Sequence, residues 1–423
     1  PQKLAAFALQ KKESGLFAPS GAEKEKFDYS ALDYNVPANL DKIRNDGVGD
    51  VLLTGAIGFL GSHVLKELLT TTDANVLCVV RPKNNLSAQK RLETIMTYYF
   101  EDWFQEKFYD RVRVVEGELG DPDLEDKLAQ YRFDAIFNCV ANVKYFARGA
   151  ELTDDQSGGI EQLVRLAERA GARLVHASSL SVGGNAATDL KLTENRLNIG
   201  QALKNKRVYS QYLAEQAIVD AILRGKIRGK IIRFGNLAAR EKDGELQVNA
   251  ATNAFMKQMS GYCKLGCYPV DMMDAEIEFS PIDYAAKAFV LLAGTPDQFT
   301  VFHAKNCNGV HYGYFINAMN RLGLPVAVVD AKEFAERFKN AIQKSEDLAP
   351  LADLVAYLDR TDELPKETTK EPERGSTRPR VESDASFTTK ALYRLGFAWP
   401  LASAERVDKT IRLLAEIEFF ETN

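Results

Sequence analysis

Thr54-Gly55-Ala56-Ile57-Gly58-Phe59-Leu60-Gly61 lies between an apolar run, Val51–Leu53, and a segment in which Val64, Leu65, Leu68 and Leu69 recur at helical spacing. Glycines at such intervals allow a tight turn, let the backbone approach a pyrophosphate and permit close helix–sheet contact. The helix N-terminus beyond them supplies oriented N–H groups to phosphate oxygens. The chemistry indicated is the holding of a dinucleotide, with Thr54, Gly55, Gly58, Phe59, Leu60 and Gly61 as the cradle. About twenty residues on, where an acid would take a ribose 2′-hydroxyl, a second apolar run ends instead in Arg81-Pro82-Lys83. Cations there suit a 2′-phosphate, so Arg81 and Lys83 point to NADPH over NADH. Glu118-Leu119 and Ala141-Asn142 follow the third and fourth apolar runs, where ligands of open α/β sheets sit. The first pair is expected near the adenine and the second along the cofactor trough.

These groups need a sheet to hold them. Val51–Leu53, Val76–Val80, Val112–Val115, Ala135–Val140, Leu174–Ala177 and Ile231–Phe234 are continuous apolar runs, and between several of them lie amphipathic segments such as Ile160, Leu163, Val164 and Ala167. Such strands, divided by helices, mean a parallel sheet covered on both faces. The expected fold is α/β: a doubly wound, Rossmann-like domain over residues 41–300, with substrate-lobe segments from about residue 240. From 300 to 423 the periodicity becomes largely helical (Phe315, Ile316 and Met319; Phe334 and Phe338; Ile411, Leu414 and Ile417), which predicts a smaller, mostly helical C-terminal lobe. Within it, the charged stretch Pro365–Arg380 lacks large apolar residues and reads as a mobile loop. At the other end, residues 1–12 form a short helical pattern and residues 13–40 a linker.

Composition narrows the field further. The 423 residues are 45% hydrophobic and 27% charged, with a formal net charge of −5. That apolar content excludes a disordered chain, and the mild acidity argues against nucleic-acid or anionic-membrane partners, which need a basic face. No stretch approaches the roughly 18 apolar residues of a membrane span. The five cysteines include one close pair, Cys263 and Cys267, with no second pair nearby, so no metal site is expected. A cytoplasmic protein with reduced thiols is the expectation.

Six blocks in order, TGAIGFLG, CVVRPKNN, NCVANVKYF, HASSLSVGG, RFGNLAAR and IEFSPIDYAAKA, resemble the terminal thioester reductase domains of nonribosomal peptide synthetases. These are extended short-chain dehydrogenase/reductase proteins, related to carboxylic acid reductases. The likeness runs from about Phe27 to the C-terminus, and PQKLAAFALQ is similar to the last helix of a peptidyl carrier domain. The resemblance implies an upstream carrier domain whose phosphopantetheine arm presents an acyl or peptidyl thioester. It also implies NADPH as reductant, release as aldehyde or alcohol, and a monomer within a multidomain protein.

The family's chemistry uses a Ser/Thr hydroxyl to hold the carbonyl, a Tyr to protonate the oxyanion and a Lys to lower the Tyr pKa. By resemblance the hydroxyl is Ser179. The Tyr position holds Arg207 and the Lys position Gln211, four apart and so on one helix face. Sliding the frame does not restore the pair, since Tyr209 plus four is Leu213 and Tyr212 plus four is Gln216. Gln156 likewise stands where the family often carries Asn. Asn236, after the run ending in Phe234, is a candidate for orienting the acyl group.

Arginine, with a pKa above about 12, is a poor proton donor at neutral pH. It can still stabilise an oxyanion by charge. Losing a general acid typically costs about 10²–10⁴-fold in rate. Three readings follow: an NADPH-dependent reductase working through Arg207 and Ser179; a redox-neutral release domain performing Dieckmann-type cyclisation; and a catalytically silent, carrier-binding domain.

Overall fold

The computed structural model describes residues 37–104, 109–140, 159–203, 206–250, 253–344, 354 and 381–420. The expected N-terminal helix, most of the linker, Ala141, Asn142, Gln156 and all of the expected mobile loop (365–380) lie outside the described residues.

Seven parallel strands form the central sheet: β1 (Val51–Thr54), β2 (Val76–Val80), β3 (Val112–Glu116), β4 (Ala135–Asn138), β5 (Arg173–Ser179), β6 (Arg228–Phe234) and β7 (Val301–Ala304). Their spatial order is β7-β6-β5-β4-β1-β2-β3. Strand order reverses between β1 and β4, and that switch point is where such sheets open a ligand crevice. The larger helices are α1 (Phe59–Thr71), α2 (Ala88–Phe100), α3 (Gly159–Ala170), α4 (Lys206–Leu223), α5 (Ala254–Leu265), α6 (Ile282–Ala293), α7 (Tyr312–Arg321), α8 (Ala331–Lys344), α9 (Ser386–Arg394) and α10 (Ala404–Glu416).

The strands read as mainly apolar runs because both sheet faces are covered. Leu52, Leu77, Ile136, Leu174 and Ile231 pack toward α3 and α4. Leu53, Cys78, Phe137, Val175 and Ile232 pack toward α1, α2, α6 and α9. A second core, with Tyr262, Tyr268, Phe315, Phe334, Phe338 and Leu414, belongs to a lobe built from α5, α7, α8 and α10. Cys263 and Cys267 are buried free thiols of that core.

The boundary expected at residue 300 falls inside the sheet domain. Val301–Ala304 is fully buried and pairs in parallel with β6, which makes α6 a crossover between two sheet strands. Phe387, Ala391 and Leu392 of α9 also return to the main core. The lobe is therefore assembled from chain on both sides of β7.

An ion pair joins α4 to the sheet beneath the site. Arg233 of β6 and Glu215 of α4 are both wholly buried, with Nη2 2.7 Å from Oε2. Arg233 also donates to the carbonyls of Thr193 and Arg196 and to His303 Nε2, at 3.2, 3.0 and 3.0 Å. Ser178 donates to the same glutamate at 2.5 Å. A buried pair with this many further bonds fixes the seat of α4.

Three of the four histidines are buried: His63, His176 and His303. Burial holds His63 down to about 3 and His176 down to about 4, and it lowers His303 with help from the Arg233 charge. Their folded pKa values lie below the unfolded one, so their stabilisation is complete above about pH 6.5 and is lost as pH falls. Each neutral histidine then costs up to about 1.4 kcal/mol per pH unit. Glu194 and Glu278, raised by burial, act in the opposite sense. The urea midpoint should fall between pH 7 and pH 5, and His63→Gln should flatten that decline.

Candidate active site

At the end of β1 the chain turns through Gly55, whose φ is +79°. A Cβ there would lie 2.8 Å from the Cys139 carbonyl, and one at Gly61 would lie 2.1 Å from the Gly55 oxygen. Only glycine lets β1, α1 and the end of β4 meet this closely. Gly58 N–H donates to Gly55 O at 2.8 Å and caps α1 without a side chain, and no acid stands in the first turn. Those first-turn N–H groups are the donors an anionic pyrophosphate takes up, so the cradle fits a dinucleotide. Phe59 and Leu60 lie in that turn, half-buried and buried. Thr54 has a different place. It is buried, and its hydroxyl donates to Asn138 Oδ1 at 2.8 Å. Asn138 in turn donates to His176 Nδ1 at 2.9 Å and accepts Val140 N–H at 3.2 Å. The threonine braces β1, β4 and β5 behind the turn.

The far end of the crevice carries the cations. Lys83 and Leu86 exchange backbone bonds at 3.1 and 3.0 Å across Asn84 and Asn85, both at positive φ, a tight turn that asparagine tolerates. Lys83 is exposed. Arg81 Nη1 lies 2.8 Å from Glu118 Oε2, so two residues expected to touch the adenosine end meet each other, while Leu119 is buried below them. Arg91 of α2 was missed by sequence reasoning. Its Nη1 donates to the Arg81 carbonyl, and its pKa is lowered by burial and then by the Arg81 charge. Two guanidinium groups, one of them paired with Glu118, thus stand at this corner.

Ser179 ends β5, where its Oγ accepts Ser181 N–H at 3.1 Å. Ser181 Oγ donates to Gln211 Oε1 at 3.3 Å. The structure thus brings Gln211 to the serine turn, with Arg207 one turn earlier on α4 and exposed. Among the described residues neither a phenol nor an ammonium hydrogen-bonds to Ser179 or Gln211. Tyr212 is half-buried and packs toward the α3–α4 core, and burial raises its pKa.

Strand register sets Ser179 opposite Phe234, so Gly235 and Asn236 run beside the serine turn. Asn236 is exposed, but its amide donates to the Glu278 carbonyl at 3.1 Å. Glu278, the other residue missed, accepts Asn236 N–H at 2.5 Å, Asn306 N–H at 3.3 Å and the Ser280 hydroxyl. A Cβ at Gly235 would meet its carboxylate at 2.1 Å. Burial raises the Glu278 pKa. The available signal was an acid inside the apolar run Ile277–Ile282.

Comparison with known proteins bears on the family and the fold. The family described as "Male sterility protein", an NAD-binding family, matches residues 53–289, more than half of the chain. A glycine betaine reductase of Emericella nidulans is 27% identical over 288 residues, 65% of this chain and 22% of its own length. A linear gramicidin synthase polypeptide from Brevibacillus parabrevis is 28% identical over 323 residues, 72% of this chain and 6% of its own. The chain therefore spans less than a quarter of the length of these curated relatives. A thiolation-reductase di-domain from an archaeal non-ribosomal peptide synthetase superposes with a TM-score of 0.79 at 28% identity, over 95% of this chain and 82% of that one. The chain belongs to the NAD-binding male sterility protein family, on the Rossmann-like fold it shares with the reductase domains of nonribosomal peptide synthetases.

Proposed function

We propose that this chain is an NADPH-dependent release domain. It takes an acyl or peptidyl thioester from the phosphopantetheine arm of a carrier domain and frees it as an aldehyde. The carrying observation is two sets of groups at the same ends of the parallel strands: the first-turn N–H groups of Phe59–Gly61 after β1, and the Ser179–Ser181–Gln211 chain at the end of β5, two strands away.

NADPH, when bound, supplies a hydride to the thioester carbonyl carbon. Gly55, Gly58 and Gly61 would admit its pyrophosphate, Arg81, Lys83 and Arg91 would serve its 2′-phosphate, and Glu118 and Leu119 would border the adenine. Ser179 Oγ uses a lone pair on Ser181 N–H, and its own proton has no acceptor among the described residues, so it is available to the substrate carbonyl. Arg207 contributes positive charge to the oxyanion. That oxyanion can collapse unprotonated, because the departing group is a thiolate whose parent thiol resembles cysteine in pKa, about 8.5. Reducing the aldehyde further would leave an alkoxide with no comparable leaving group and therefore a need for a proton donor. A guanidinium and an amide in place of phenol and ammonium thus suit two-electron release that stops at the aldehyde.

The test offers a carrier-bound or N-acetylcysteamine thioester with NADPH. The expected result is one NADPH consumed per aldehyde formed. A cyclised product without NADPH loss would establish the redox-neutral reading, and NADPH binding without any product would establish the silent one. For the cofactor preference, Arg81→Ala should weaken NADPH about tenfold and leave NADH within about twofold, as loss of a charge-assisted bond requires. Titration calorimetry with both nucleotides measures this.

A further inference from the structure

Register sets three residues in one row at the C-terminal ends of neighbouring strands: Ser179 of β5 lies opposite Phe234 of β6, and Phe234 lies opposite Ala304 of β7. Two residues past that row, on β6 and β7 alike, stand Asn236 and Asn306, each just beyond its strand. Their main-chain N–H groups meet on one carboxylate. Glu278 Oε2 accepts Asn236 N–H at 2.5 Å, and Oε1 accepts Asn306 N–H at 3.3 Å. Ser280 completes the set, its hydroxyl donating to Glu278 and accepting Asn306 N–H at 2.9 Å.

Hydrogen bonds from N–H and O–H donors to an ionised carboxylate are about twice as strong as neutral ones, so this clamp is a firm one. The carboxylate lies against Gly235, where a Cβ would come within 2.1 Å of Oε2 and 2.5 Å of Oε1, so glycine leaves the room it needs. Glu278 also fixes the Asn236 side chain. Its own carbonyl accepts from Nδ2 at 3.1 Å, and turning the amide over would set two oxygens against each other. Nδ2 is thereby spent, and Oδ1 of this exposed side chain is left as an acceptor beside the serine turn.

We infer that Glu278 is a positioning residue for release: it ties the ends of β6 and β7 together so that Asn236 stands beside Ser179 with Oδ1 offered to an N–H of the bound thioester. It touches no reacting atom and acts through Asn236. The inference rests on the release reading and adds to it the acid that sets the substrate-facing amide.

Turnover of an N-acetylcysteamine thioester with NADPH, measured in a double-mutant cycle on the full chain, tests it. Glu278→Gln keeps the shape but sets an amide N–H against a main-chain N–H. It should raise the thioester KM at least about tenfold, the worth of one hydrogen bond to a charged group. The kcat should stay within about threefold, because the contact is made equally before and during the reaction. NADPH affinity, titrated separately, should not move. Asn236→Ala should give a similar loss, and adding Glu278→Gln to it should cost no more than about twofold further, since residues acting through one contact do not add. Gly235→Ala, which pushes the carboxylate aside while keeping its charge, should also raise KM, and it takes the place of the glutamine variant in the cycle if that variant does not fold. Equal losses with and without Asn236, NADPH binding weakened in step with KM, or an unchanged KM overturns the positioning role and leaves the release reading intact. If wild type consumes no NADPH with the thioester, the release reading fails and the positioning role with it.

Discussion

Restoring the phenol and the ammonium, by Arg207→Tyr with Gln211→Lys, is expected to turn the proposed release as aldehyde into release as alcohol. Arg207 and Gln211 lie one turn apart on α4, and Gln211 is already bonded to Ser181 beside Ser179. A lysine at 211 would stand where it can lower the pKa of a tyrosine at 207. Reduction of added aldehyde should then accelerate by about 10²–10⁴-fold, the usual worth of a positioned general acid. Thioester reduction should change far less, because its intermediate collapses by losing thiolate. Steady-state rates with aldehyde and with thioester, measured separately, distinguish these effects. An equal gain in both would mean that the thioester step too lacks only a proton. No gain in either would mean that the cleft itself has changed.

The second large effect concerns stability. Removing Arg233 leaves Glu215 as an uncompensated buried charge and deprives the carbonyls of Thr193 and Arg196 of their donor. Breaking one side of a buried pair typically costs about 3–5 kcal/mol, a large share of the total stability of a domain. Arg233→Met should therefore shift the urea midpoint sharply downward, and Glu215→Gln should do so less. The double variant Arg233→Met with Glu215→Leu should recover much of the loss, since an apolar pair needs no counter-charge. If the single variants unfold at the wild-type midpoint, the pair does not hold α4 to the sheet.

What the sequence discloses depends on how local the cause is. The strands β1 to β6 announce themselves because burial on both faces demands mainly apolar runs such as VLLT, VLCVV and AIFN. β7 does not, for it has four residues and follows a Pro296 loop in a region where helices dominate. Its partner helix α9 returns from more than eighty residues away, and no spacing rule reaches that far. The glycine turn is legible because Gly55 and Gly61 answer to steric demands within one turn of chain. The role of Thr54 is not, because Asn138 meets it only through strand pairing. Arg91 and Glu278 were missed for the same reason. One reaches back across a loop to the Arg81 carbonyl, and the other closes on Gly235 and Asn236 from another segment. Ser179 and Gln211 are named by motif likeness, and the fold brings both to Ser181, whose N–H donates to Ser179 Oγ and whose hydroxyl donates to Gln211 Oε1.

The proposed release requires that hydride reach the thioester carbon once and no further. Deuterium-labelled NADPH and a carrier-bound thioester, with the product measured by mass spectrometry, test this directly. The expected product is an aldehyde carrying a single deuterium on the former carbonyl carbon. An alcohol carrying two, formed at a rate comparable to thioester reduction, or a cyclic product carrying none, would contradict it.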